Sequence, residues 1–314
     1  MKIGVFAAEP WEKPLFISSF HSDTVVFSAQ ELTPVNAAKY KDLELACVFV
    51  HSQINQKTLS SMPKLKYVVT RSTGFDHIDL TACKERGIAV CNVPTYGENT
   101  VAEFTFALLL ALSRHIIHAV EATTKKHKDF IELRGFDLAG KTLGVVGCGN
   151  IGRHVVRIAR GFGMNVVVFD VCPDKAFAKQ MGFRYLTLEK LLSSSDIVTL
   201  HVPYNAHTRH LLDKKRFSLM KKGAYLVNTS RGGVVDSDAL ISALKSKKLA
   251  GAALDVLEHE ENMAGKNQIL LKMPNVLVTP HNAFNSQEAM QRILETTIEN
   301  IKRIKKGKVV NRVG

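Results

Sequence analysis

The sequence predicts an α/β protein built from two doubly wound parallel sheets, and three observations predict it. Short apolar runs rich in Val, Ile and Phe alternate with stretches of mixed polar and apolar periodicity almost without a break, the pattern of a parallel sheet covered by helices on both faces. A glycine-rich turn, GCGNIG, stands between one such strand and one such helix. The chain has 314 residues, 46% of them apolar, which is long for a single core and favours two domains.

Taken in order, the first-domain strands are expected at residues 2–7, 24–28, 45–50, 67–72 and 89–93. A long helix is expected from Glu98 to about Ala119. Its apolar centre, residues 104–113, is too short to span a bilayer and reads as buried. A polar passage over 121–137, containing KKHKD, leads towards the second sheet. There the strands are expected at 142–146, 165–170, 197–202, 224–229, 251–256 and 276–278. A final helix near 286–305 carries the chain back, so the first domain is expected to be discontinuous: 1–98 with 287–314, around a second domain of 99–286.

Composition narrows the function classes. The formal charge is +13, which attracts anions, but the lysines are scattered or lie on polar helix faces. The densest basic run, 302–308, suits the negative end of a helix dipole. Neither nucleic-acid nor membrane binding is therefore expected, because net charge alone argues solubility and non-specific attraction. MKIGVFAAEP is not expected to be a signal peptide. Cys47, Cys83, Cys91, Cys148 and Cys172 are odd in number and form no CxxC pair. A reduced, cytoplasmic protein without a structural metal is the expectation.

Gly147-Cys148-Gly149-Asn150-Ile151-Gly152 directly follows the strand KTLGVV and opens a helix. Gly147 allows the tight turn, Gly149 lets backbone approach a pyrophosphate, and Gly152 permits close helix–strand packing. The free N–H groups of Asn150 and Ile151 at the helix start suit phosphate. The next strand, NVVVFD, ends at Asp170. A carboxylate there accepts from ribose hydroxyls and repels a 2′-phosphate, and no arginine follows in Val171-Cys172-Pro173. NAD is expected rather than NADP.

Arg231, Glu260 and His281 stand after consecutive expected strands, where ligands of doubly wound sheets bind. Arg231 can grip a carboxylate and polarise a keto oxygen. His281 can give or take the proton at that oxygen. Glu260 can orient His281 and favour its charged form. The run Glu258-His259-Glu260-Glu261 leaves open which glutamate turns inward.

Around these residues the sequence resembles the D-isomer-specific 2-hydroxyacid dehydrogenase family. The matching stretches are RSTGFDHID (71–79), VPTYGENTVAEF (93–104), GVVGCGNIGR (144–153), LHVP (200–203), VNTSRGGVVD (227–236), GAALDVLEHE (251–260) and TPHNAF (279–284). They cover most of the chain from residue 67 onward. The resemblance implies a flavodoxin-like substrate domain and a Rossmann NAD-binding domain with a cleft between them, and a homodimer that uses the helix from Glu98. It implies that Arg231, Glu260 and His281 are catalytic and that Asp255 contacts the nicotinamide carboxamide. It places Thr229 and Ser230 by the same ring, and Val202, Pro203 and Thr208 on the cofactor side. Substrate carboxylate would rest on the backbone N–H groups of Thr73 and Gly74. Phe75, Tyr96 and Phe284 resemble D-lactate dehydrogenases in particular and imply pyruvate as the keto acid. His51 stands where lactate enzymes often carry a tyrosine, and Gly97-Glu98 where many have Ser-Pro. Glyoxylate, hydroxypyruvate or a longer 2-keto acid are the alternatives. Two rivals from other classes are an NAD-sensing corepressor and an NAD-dependent hydrolase of the S-adenosylhomocysteine type. The short segments outside the expected first strand and last helix disfavour the former. The chain length and the TSRGG and TPHNAF contexts disfavour the latter.

Overall fold

The computed structural model describes residues 1–124, 133–260 and 262–314. The KKHKD run (125–129) and Glu261 lie outside the described residues. The chain divides into two compact units, Met1–Tyr96 with Ser286–Gly314, and Gly97–Asn285.

The first unit opens with five parallel strands, β1 (Lys2–Val5), β2 (Thr24–Phe27), β3 (Leu45–Val48), β4 (Tyr67–Thr70) and β5 (Ala89–Cys91). Their spatial order is β5-β4-β3-β1-β2, so the winding reverses between β1 and β3. The helices α1 (Lys13–Ser19), α2 (Gln56–Ser60) and α3 (Leu80–Glu85) connect them. Each strand ends one or two residues before its expected limit, because the residues after it bend into loops at the carboxyl edge. All of β3 is buried, which explains why it reads as an unbroken apolar run. Local polar chemistry starts the short helices: Asn55 accepts from Thr58 N, and Asp79 from Ala82 N.

The second unit begins with α4 (Glu98–Ser113) and α5 (Ile116–Thr124). The single helix expected over 98–119 is therefore corrected to two, bent by 55°. The returning chain explains the break. Phe136 N donates to Ser113 O at 3.0 Å, and a Cβ on Gly135 would strike that same carbonyl. His115 turns the chain with φ of 51°. Among the described residues no single helix is long and apolar enough to cross a membrane.

Seven parallel strands follow: β6 (Thr142–Val146), β7 (Asn165–Phe169), β8 (Arg184–Tyr185), β9 (Ile197–Leu200), β10 (Ala224–Asn228), β11 (Leu249–Leu254) and β12 (Val276–Val278). The order is β12-β11-β10-β9-β6-β7-β8, a Rossmann arrangement whose reversal falls between β6 and β9. The connecting helices are α6 (Asn150–Gly161), α7 (Lys175–Met181), α8 (Leu188–Ser194), α9 (Lys214–Leu219), α10 (Ser237–Lys245) and α11 (Lys266–Leu271). Neighbouring strand residues face opposite cores. Val146, Val198 and Leu226 join one cluster, and Val145, Ile197 and Val227 the other. β11 starts and ends two residues earlier than expected, with Leu249 paired to Ala224 across an irregular register.

The chain then returns to the first unit through α12 (Gln287–Lys305), capped by Ser286. Leu294, Ile298, Ile301 and Ile304 share one face of α12 and pack with Ile3, Val5, Phe16 and Val69. At the basic end of α12, Lys305 pairs with Asp23, which also holds the N-terminal amine. A final strand, β13 (Arg312–Val313), runs antiparallel on the edge of β5. Only two residues long, like β8, it leaves no periodic signal in the sequence.

Candidate active site

The glycine loop lies at the reversal point of the second sheet. Gly147 has φ of 94°, which a side chain strains to adopt, and a Cβ there would meet His201 O at the end of β9. A Cβ on Gly152 would strike Gly147 O, so α6 rests directly on the turn. Gly149, in contrast, faces open space. The loop is thus a backbone cradle that any side chain at Gly149 would enter. Asp170, the residue after β7, accepts from Cys148 N at 2.6 Å and Cys172 N at 2.7 Å. These two bonds fix its carboxylate at the cradle's edge. Burial pulls His201 down to about 3, leaving its imidazole neutral behind the loop. The donor set fits a dinucleotide: α6 amides for phosphates and one carboxylate for a ribose.

Asn150 reaches Glu98 at 3.5 Å, and Ile151 packs on the core beneath α6. Val202 packs at the edge of the opposite core and Pro203 is exposed. Thr208 Oγ1 donates to Pro203 O at 2.6 Å and closes the 203–208 turn. Thr229 is buried with its hydroxyl 2.9 Å from that of Thr105 on α4. Ser230 bonds Asn228 Oδ1 through both N and Oγ.

The expected acid–base residues follow three neighbouring strands, β10, β11 and β12. Arg231 follows β10 and precedes a short 3-10 turn, Gly232–Val234. Its Nη1 donates to Ser230 O at 2.7 Å. Glu260 lies in the turn after β11, and His281 follows β12. His281 Nδ1 and Glu260 Oε2 are 3.0 Å apart, with side chains 26% and 30% exposed. This contact separates the three glutamates. Glu260 meets the histidine. Glu258 turns to His210 instead, 2.6 Å away. Glu261 lies outside the described residues.

Two devices hold this group. Gly232 packs so closely that a Cβ would collide with the Leu257 carbonyl, which ties the Arg231 segment to the Glu260 loop. Asp255, 1% exposed, accepts from Thr279 Oγ1 at 2.6 Å, Asn282 N at 2.8 Å and Ala283 N at 2.9 Å. Its own carbonyl takes His281 N at 2.8 Å. His281 has φ of 52°, a conformation those bonds support. Phe284 stands with its ring centroid 6.4 Å from that of His281.

The first unit carries Thr73, Gly74, Phe75, Tyr96 and His51. Thr73 and Gly74 lie in the loop after β4. Phe75 packs partly into this unit's core, so it is less free to line a pocket than its type implies. Tyr96 is half-buried, and its carbonyl accepts from Arg292 Nε at 2.6 Å. His51 is exposed after β3.

Sequence reasoning missed three features. His210, Glu258 and Ser237 form a second polar cluster, with Ser237 Oγ 2.9 Å from Glu258 Oε2. Burial alone would raise the Glu258 pKa, but the bonds from His210 and Ser237 outweigh it and hold the carboxyl below the usual range. Asn267, 3% exposed, donates to the carbonyls of Glu258, His259 and Asn262 and so clamps the Glu260 loop. Arg71 and Glu12 form a buried ion pair. The partners of His210 and Arg71 are far away in sequence, 48 and 59 residues, while those of Asn267 are 5 to 9 residues away but at no recognised motif spacing.

The model of the D-isomer specific 2-hydroxyacid dehydrogenase NAD binding domain matches residues 106–283. The chain is 34% identical to D-lactate dehydrogenase of Escherichia coli, over 98% of each. It is 39% identical to a glyoxylate reductase of Korarchaeum cryptofilum, over 86% of this chain and 82% of that one. A structure of D-lactate dehydrogenase from Aquifex aeolicus, complexed with NAD and lactic acid, superposes with a TM-score of 0.90 at 36% identity. That superposition covers 97% of this chain and 96% of the other.

Proposed function

The chain belongs to the D-isomer specific 2-hydroxyacid dehydrogenase family and is an NAD-dependent oxidoreductase, and from that premise we propose that it reduces pyruvate to D-lactate. The observation that carries the reading is the His281–Glu260 contact on the NAD-binding unit, joined to Arg231 through Gly232. When bound, NADH supplies the hydrogen and electron pair that reach the keto carbon. The chain's own residues do the rest. Arg231 binds the carboxylate as a fork and draws charge from the keto oxygen. His281, held at Nδ1, gives its proton from Nε2 to that oxygen. Glu260 keeps the imidazole in that orientation. The amides of Thr73 and Gly74 supply further donors for a carboxylate.

The resemblance of Tyr96 and of Phe284 to the aromatic positions of D-lactate dehydrogenases supports a small side chain on the keto acid. The glyoxylate reductase match, at 39% identity, favours glyoxylate as the second reading. A homodimer is part of the proposal, supported by the exposed apolar residues Ile116, Ile117 and Val120 on α5.

The test is a rate screen of NADH oxidation with pyruvate, 2-ketobutyrate, glyoxylate, hydroxypyruvate and phenylpyruvate, followed by chiral analysis of the product. We expect pyruvate to lead 2-ketobutyrate by about tenfold in kcat/KM, the worth of one methylene in a tight pocket, and the product to be D-lactate. Preference for glyoxylate selects the second reading. No reduction of any of these acids removes the proposal.

A further inference from the structure

We propose that the buried Glu12–Arg71 ion pair is a positioning device that sets the Thr73 and Gly74 amides for an anionic carboxylate. The inference rests on the reading of those amides as carboxylate donors. Glu12 is 0% exposed and Arg71 2%. Arg71 Nη1 donates to Glu12 Oε1, while Nη2 donates to Phe6 O at 2.6 Å and Ala7 O at 2.8 Å. The guanidinium therefore ties the start of the 71–76 loop to the end of β1 and to the N-cap of α1. Ala7 holds φ of 48°, which turns its carbonyl into this cluster. Glu12 Oε2 in turn takes Glu9 N at 2.8 Å.

Beyond Arg71 the loop's carbonyls are pinned by side chains. Asn92 Nδ2 donates to Thr73 O at 2.9 Å, and Ser72 Oγ to Gly74 O at 2.7 Å. Thr73 Oγ1 reaches Val93 O at 2.8 Å, and Thr70 Oγ1 lies between Ser72 Oγ and His77 Nε2. With the carbonyls engaged, the Thr73 and Gly74 amides donate to nothing among the described residues. Two adjacent unspent amides in a braced loop form an anion-binding concavity.

Stability does not explain the pair. Buried ion pairs are often no better than apolar residues of the same shape. This one also leaves Arg71 Nε buried with no hydrogen-bond partner. What an apolar pair cannot supply is a directed link from β1 to residue 71.

The test is the double variant Glu12→Leu/Arg71→Met, measured beside wild type with the 2-keto acid that wild type reduces fastest. The expected result is an unchanged or higher melting temperature, KM raised about tenfold or more, kcat within about threefold, and unchanged NADH affinity. Backbone amide exchange over residues 70–77, measured without substrate or cofactor, should rise by a similar factor. A folded double variant with wild-type KM and wild-type exchange overturns the proposal. Should the double variant not fold, Glu12→Gln is judged by the same KM and exchange criteria. A wild type that reduces no 2-keto acid is a different failure: it removes the reading of the site, and this inference with it.

Discussion

Two histidine–glutamate pairs occur on the NAD-binding unit, and they are alike in most respects. His210 meets Glu258 at 2.6 Å, and His281 meets Glu260 at 3.0 Å. Both histidines have left-handed backbones, with φ of 49° and 52°. Their side chains are 34% and 26% exposed. By distance and exposure, His210 is as good a candidate acid as His281. The difference lies in which ring nitrogen is held. Glu260 takes Nδ1 of His281 and leaves Nε2, the nitrogen far from the backbone, to meet a ligand. Glu258 takes Nε2 of His210, so the distal nitrogen is spent inside the protein. The second carboxylate oxygen differs too: that of Glu258 goes to Ser237 Oγ. On the proposed reading one pair presents a proton, while the other fastens two loops. A short His–Glu contact is therefore no sign of catalysis until the free nitrogen is located.

Substitutions sharpen that contrast, and the largest effect should come from Arg231, the proposed partner of the substrate carboxylate. Arg231→Leu removes a charged partner of the carboxylate and should lower kcat/KM by about two to four orders of magnitude, read from initial rates. Glu260→Gln should lower kcat by about one to three orders of magnitude, because the imidazole loses its orienting charge. NADH affinity, measured by fluorescence titration, should hold in both. Glu258→Gln should change kcat by less than about threefold and lower the melting temperature by about 2–4 °C.

The Glu258 carboxyl also gives the comparison a pH test. Its folded pKa lies below the unfolded one, so it adds stability above the usual glutamate range. That stability is lost as pH falls through the folded value. Denaturant unfolding of wild type should therefore weaken over that acid range, and Glu258→Gln should flatten the decline. An identical decline in both proteins would mean that Glu258 is not the fastener described.

Much of this was legible in the sequence because it depends on local chemistry. The strand–GCGNIG–helix unit and Asp170 needed only a turn, an unspent helix end and one carboxylate after the next strand. The apolar alternation located the longer strands within two residues. The helix over 98–119 failed because its break comes from residues 135–136 packing back on Ser113, a non-local event. Glu260 could be chosen over its neighbours only by resemblance, since EHEE holds no local rule for which carboxylate turns inward. His210 and the Glu12–Arg71 pair were illegible because each meets its partner, 48 and 59 residues away, only after the sheet has formed; Asn267 bonds backbone carbonyls 5 to 9 residues back, which no side-chain pattern marks.

Comparing His281→Gln with His210→Gln in one experiment separates the proposed proton donor from the fastener. Both are assayed at saturating NADH with the 2-keto acid that wild type reduces fastest. Turnover should fall by about two to four orders of magnitude for His281→Gln and by less than about threefold for His210→Gln. Equal losses in the two variants, or wild-type turnover in His281→Gln, would remove His281 as the proton donor.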